Sequence, residues 1–175
     1  FDPIVLSAAN SALPHGHSSE NNKLKKGDAI LFDFGGTYQG FNADITRTFF
    51  LEEINEIQKN VYNNVLEANL IGIKNSIIPK TMHEIDDSTT NVLENGGFKE
   101  FIVHKTGHGL GLDVHEDPYI VRGNHSSLEE GMIITIEPGL YLPGKFGIRI
   151  EDDVLITDNS PNVLTNFSKE IRIIK

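Results

Sequence analysis

His104-Lys105-Thr106-Gly107-His108-Gly109-Leu110-Gly111-Leu112-Asp113-Val114-His115-Glu116 sets three histidines among closely spaced glycines. Glycine lets a backbone approach a ligand or take up positive φ, so these imidazoles are expected to face a common cavity rather than fill a core. Four acids elsewhere complete the pattern. Asp33 lies in Ile30-Leu31-Phe32-Asp33-Phe34-Gly35 and Asp44 in Asn42-Ala43-Asp44-Ile45-Thr46-Arg47-Thr48. Glu137 lies in Thr135-Ile136-Glu137-Pro138-Gly139 and Glu151 in Gly147-Ile148-Arg149-Ile150-Glu151-Asp152. Each is embedded in apolar or β-branched sequence, where an unpaired carboxylate is costly to bury, so something positive must hold them.

The bulk properties narrow what that can be. With 175 residues, 38% of them hydrophobic, the chain can build a substantial core and is most simply one domain. A net charge of −10 argues against nucleic acid or an anionic membrane as partner and favours a small ligand. Cysteine is absent, so metal ligands must be oxygen and imidazole. No apolar run approaches the roughly 20 residues that span a bilayer, and a cytoplasmic location is the expectation. Phe1-Asp2-Pro3 is no translation start, and a piece of a longer polypeptide is expected.

Strand and helix periods place the acids. Ile4 to Ser7 reads as a short strand, and Ala29 to Phe34 as a strand buried on both faces. After the glycine-flanked turn at Thr37-Tyr38-Gln39, Ala43 to Phe50 reads as its antiparallel neighbour, setting Asp33 and Asp44 side by side. Ile54, Ile57, Val61, Val65 and Ala68 form one apolar stripe of a helix running from Glu52 to about Leu70, with Gly72 closing it. Thr81 with Glu84 is a capping box for a second helix through Leu93. Gly131 to Glu137 reads as a strand stopped by Pro138-Gly139, and Gly147 to Thr157 as one continuous strand. Two acid-bearing hairpins flanking a helical segment suggest two structurally similar halves.

Asp33, Asp44, His108, Glu137 and Glu151 form an oxygen-rich set with one imidazole, suited to two divalent ions sharing bridging carboxylates. Four carboxylates without metal would repel and resist simultaneous ionisation. A metal pair about 3.5 Å apart makes hydroxide from water near neutral pH and polarises a carbonyl. Glu137 is the candidate for exchanging protons with that water. His15, His104 and His115 are placed around the substrate, where they can stabilise the oxyanion or protonate the leaving nitrogen. Arg149 is read as neutralising the carboxylates through a bidentate bond. His17, His83 and His125 are expected to face solvent. Gly107 to Gly111 lacks a following Gly-Lys-Ser or Gly-Lys-Thr, which disfavours a phosphate loop.

This series resembles the M24-type metallopeptidase family of creatinase, methionine aminopeptidase and the proline-specific peptidases. The resemblance rests on Asp33 and Asp44 spaced by 11, Thr-Gly-His108-Gly-Leu-Gly, Ile-Glu137-Pro-Gly and Gly-Ile-Arg-Ile-Glu151-Asp, and covers nearly the whole chain. It implies the α+β pita-bread fold, truncated here at the N-terminus, with residues 1–175 forming a partial C-terminal catalytic domain. It implies that Asp33, Asp44, His108, Glu137 and Glu151 bind the metal pair and that His15, His104 and His115 surround the substrate. Ser11-Ala12-Leu13-Pro14-His15-Gly16 and Glu-Pro-Gly-Leu-Tyr-Leu-Pro-Gly are similar to Xaa-Pro dipeptidases and Xaa-Pro aminopeptidases. The implied activity is metal-dependent hydrolysis of the bond preceding proline, with manganese or cobalt favoured and zinc or iron as alternatives. Methionine aminopeptidase is a weaker match, and a non-enzymatic peptide- or partner-binding domain is the competing class. A missing N-terminal segment or separate chain, and a homodimer, belong to the same expectation.

Overall fold

The computed structural model describes residues 1–13 and 16–175. Pro14 and His15 therefore lie outside the described residues. In chain order the elements are β1 (Ile4–Ser7), β2 (Ala29–Tyr38), β3 (Phe41–Leu51), α1 (Glu56–Asn75), α2 (Met82–Asn95), β4 (Gly107–Gly109), β5 (Glu116–Ile120), β6 (Ile133–Ile136), β7 (Gly139–Leu142), β8 (Phe146–Arg149), β9 (Asp152–Leu155), β10 (Asn162–Val163) and β11 (Ile173–Ile174). One sheet runs β1-β2-β3-β11, a second β10-β9-β6-β4-β5, and β7 pairs with β8. No helix among the described residues is long and apolar enough to cross a membrane.

The long hairpin β2–β3 is antiparallel throughout, with Asp33 opposite Thr46 and Gly35 opposite Asp44. The two acids are thus diagonal neighbours on one face rather than directly opposed, and a Cβ on Gly35 would overlap the Ala43 carbonyl. Along β3 the residues Asp44, Thr46, Thr48 and Phe50 are all buried, the period-2 signature of a strand facing a core. The second half repeats the device with β6 and β9, where Ile136 pairs with Asp152. Continuing that register by one step past both strand ends sets Glu137 against Glu151.

The helices cover these sheets and pack on one another. Val61, Tyr62, Val65 and Ala68 of α1 bury against Phe50, Leu140, Ile148 and Ile150. A second cluster gathers Ile73, Met82 and Ile85 with Ile134, Ile136 and Val154. Helix α1 starts later than its apolar stripe suggests, because Asn55 accepts a hydrogen bond from the Gln58 amide and the Gln58 side chain accepts one from the Asn55 amide, each at 2.9 Å. Ile57, in the first turn, is consequently exposed. The Thr81–Glu84 capping box of α2 is present as expected.

Gly72 does not end α1. The helix runs through it to Asn75, and a Cβ at this position would stand 2.6 Å from Thr89 Oγ1 and 2.8 Å from Ile136 Cγ2. The residue is small because α2 and β6 cross there. The strand expected over Gly147 to Thr157 is likewise two strands. β8 pairs with β7 and β9 with β6 and β10, and between them Ile150 and Glu151 donate their amides to Pro138 O and Thr46 O. That break joins the two halves, since Thr46 belongs to β3. Replacing Gly72 by valine overpacks the crossing and is expected to cost about 1–3 kcal/mol, read as a lower urea midpoint with an unchanged slope.

Candidate active site

The loop after α2 leads into β4, and there the glycines do something other than expected. Neither Gly107 nor Gly109 has positive φ. A Cβ on Gly107 would overlap the Thr135 carbonyl of β6, and one on Gly109 would run into the backbone of Asp117. Glycine allows β4 to lie tightly between β5 and β6, and His108 between them is thereby aimed at the site. The residue is 1% exposed, and its amide donates to Thr135 Oγ1 at 3.1 Å. The Gly109 carbonyl lies 2.9 Å from Nδ1 and can only accept, so Nδ1 carries the proton and Nε2 keeps its lone pair. Burial pulls the imidazole down to about 4, and it is neutral at neutral pH.

Nitrogen and oxygen atoms of Asp44, His108 and Glu151 lie within 4.8 Å of one another, all three residues buried. Glu137 enters the same space, its Oε1 3.5 Å from His108 Nε2. Asp33 completes the floor of a cavity of about 550 Å³ that all five residues line. Asp33 Oδ1 and Asp44 Oδ1 are buried without a hydrogen-bond partner. Unpartnered buried carboxylate oxygens facing a neutral imidazole are what a divalent cation satisfies, so the residues present fit a metal ion.

The electrostatics carry the same message. Asp44 is pushed up to about 8, mostly by burial and then by Asp33, Glu137 and Asp153. Glu137 rises to about 7, chiefly through burial, with Arg149 and Lys105 working the other way. Glu151 is raised well above the ordinary carboxylate value by burial and by Glu137 and Asp44.

Arg149 neutralises part of this charge, though not by a bidentate bond. Nη2 pairs with Asp33, Nη1 donates to the Tyr141 hydroxyl at 2.8 Å, and Nε donates to Thr46 Oγ1 at 3.1 Å. Three partners on three strands fix one planar group, which a fork on a single carboxylate would not. Thr46 in turn donates to Glu151 Oε2 at 2.6 Å. Tyr141 also meets His104 Nε2 at 2.8 Å, and burial lifts its phenol to about 12, so it remains a donor. His104 is half-buried; His115 is exposed, its ring centroid 4.4 Å from that of His108.

Several contributors were not singled out in the sequence. Thr46 was findable, since the alternation along β3 puts it on the face of Asp44. Asp153 Oδ2 accepts the Asp44 amide at 3.1 Å, and Arg47, Asp152 and Lys169 form a buried ion cluster behind Glu151, with Arg47 Nη1 2.5 Å from the Glu151 carbonyl. Nothing local marks these, because Asp44 and Arg47 lie about a hundred residues from their partners and Lys169 lies 17 from Asp152. Of the remaining histidines, His17 and His125 are exposed, while His83 is half-buried and accepts the Gly123 amide.

Residues 1–158 match the profile of metallopeptidase family M24. The Xaa-Pro dipeptidase of Pyrococcus horikoshii is 42% identical over 171 residues, a match covering 98% of this chain and 48% of that protein. The solved prolidase of Thermococcus sibiricus superposes with a TM-score of 0.96 at 42% identity, over 99% of this chain and 47% of its own. The X-Pro aminopeptidase of Thermotoga maritima gives 0.96 at 41% identity, over 99% and 49%. The chain belongs to metallopeptidase family M24, and its α+β architecture is that family's pita-bread fold. It spans about half the length of the relatives it matches.

A metal must displace protons from Asp44 and Glu137, so metal affinity is expected to rise with pH up to about 8, with a binding heat that depends on the buffer's ionisation enthalpy. Titration calorimetry in two buffers checks this. For the metal-free protein the sign is set by a raised carboxyl value. Asp44's contribution to stability is fully present below the unfolded value near 4 and is lost as pH rises through about 8. Asp44→Asn should therefore raise the metal-free melting temperature at pH 8, while weakening metal binding by more than the roughly 100-fold that loss of a supporting partner costs.

Proposed function

We propose that this chain carries the catalytic centre of a peptidase that hydrolyses the bond preceding proline. The observation that carries the reading is the cavity of about 550 Å³ whose floor holds buried carboxylates with unpartnered oxygens beside a neutral imidazole, with His17, His104 and His115 also lining it. The names of its relatives, Xaa-Pro dipeptidase, prolidase and X-Pro aminopeptidase, supply the substrate class.

In this reading Asp33, Asp44, His108, Glu137 and Glu151 hold two divalent cations, manganese or cobalt in preference to zinc or iron. Bound there, the cations supply Lewis acidity toward a carbonyl and lower the pKa of water. Glu137, whose own proton the cations would displace, takes a proton from the attacking water and returns it to the departing nitrogen. The water oxygen bonds to the acyl carbon, the C–N bond breaks, and proline leaves as a neutral secondary amine. His115, beside His108 at the cavity rim, donates toward the carbonyl oxygen as charge develops, while His104, whose Nδ1 donates to the Lys105 carbonyl and whose Nε2 accepts the Tyr141 hydroxyl, shapes the wall the substrate rests on. His15, which lies outside the described residues, is proposed to act on the substrate only by its match to the family's motif. Proline has no N–H, so recognition of its nitrogen side depends on ring shape and on grip of the carbonyl. Arg149 acts on Asp33, Thr46 and Tyr141 rather than on the substrate.

Activity should appear with Xaa-Pro peptides on addition of manganese or cobalt and vanish with a chelator; absence of metal-stimulated cleavage overturns the reading. Glu137→Gln should lower kcat by about 10²- to 10⁴-fold through loss of proton transfer. His104→Ala should raise KM and lower kcat without changing metal content, as measured by elemental analysis.

A further inference from the structure

One cation on the cavity wall is left over from the machinery described above. Lys105 follows His104, lines the same cavity, and is half-buried. Its Nζ lies 5.0 Å from the centroid of the Tyr119 ring on β5, and Tyr119 is itself exposed. Among the described residues no carboxylate forms an ion pair with it. The other permanent cation of the wall, Arg149, has all three guanidinium nitrogens engaged by Asp33, Tyr141 and Thr46. Lys105 is near enough to the centre for its charge to act on both Glu137 and His108.

We propose that Lys105 reads the free C-terminal carboxylate of the substrate and makes dipeptides the favoured class. This rests on the Xaa-Pro reading and deepens it. A dipeptide ending in proline carries its carboxylate on the ring carbon next to the scissile nitrogen, close to the reacting carbonyl. A longer peptide presents a neutral amide at that point. With the cations bound, the charge of the four carboxylates is offset and Arg149 is already engaged, so Lys105 on the wall is placed to meet an incoming anion, and a flexible four-carbon stem lets the ammonium exchange the Tyr119 ring face for a charge-assisted hydrogen bond. The exchange discards only a contact that is weak at an exposed ring.

The test compares Ala-Pro with its C-terminal amide on the metal-loaded protein and on Lys105→Met and Lys105→Arg. Wild type is expected to favour the acid by at least tenfold in kcat/KM, Lys105→Met to bring the ratio near one, and Lys105→Arg to keep part of the preference. A merely structural lysine would lower both substrates alike and leave the ratio unchanged, which overturns the proposal. Binding of the two peptides, followed by calorimetry, separates this from the activity itself. An acid preference in binding that Lys105→Met abolishes supports Lys105 even if neither peptide is cleaved, a result that would overturn only the peptidase reading. Equal binding of acid and amide, binding of neither, or a preference that survives Lys105→Met overturns the role of Lys105.

Discussion

Mutual repulsion among buried carboxylates is the constraint around which the molecule is organised. Asp33, Asp44, Glu137 and Glu151 share one cavity, and the single guanidinium among them is committed to Asp33. The metal-free protein meets the imbalance by holding protons, with Asp44 near 8 and Glu137 near 7. A cation meets it differently, by giving the orphaned oxygens a partner. The same energetic deficit that weakens the fold without metal is what gives the site its appetite for one.

Such a site needs stiff walls, and the scaffold supplies them by pairing across long sequence separations. The β2–β3 ladder sets the first two acids, the β6–β9 ladder the second two. Thr46 joins the ladders through Glu151 and Arg149, and the Glu151 amide returns to the Thr46 carbonyl. Behind Glu151, Asp152 is fully buried but held below the ordinary carboxylate range by Arg47, Thr165 and Lys169. Adjacent acids thus have opposite fates. Asp152 is paired and charged, while Glu151 faces the cavity and is raised.

Helices α1 and α2 contribute by position rather than by chemistry. Their contact at Gly72 brings α1 within reach of Ile136, the residue before Glu137. Asn69, buried in α1, donates to the carbonyls of Ile136 and Ile150 and to Asp152, so one helical side chain fastens the backbone next to both Glu137 and Glu151. An asparagine in an otherwise apolar helix face reads as a flaw in amphipathicity until those partners are seen.

By itself the sequence determined the donor inventory, the α+β class, the Thr81–Glu84 cap and the inward face of β3. Each of these follows from residue chemistry or from a period of two or 3.6 within a short window. Only the tertiary structure decided why Gly72, Gly107 and Gly109 are glycines, since a neighbouring element and not the local φ forbids a Cβ there. It likewise decided that Arg149 divides itself among Asp33, Tyr141 and Thr46, and that the strand beginning at Phe146 breaks at Ile150. Local pattern fixes which face of an element turns inward. Which atoms then meet depends on register and on contacts between segments up to about a hundred residues apart, which no short window of sequence contains.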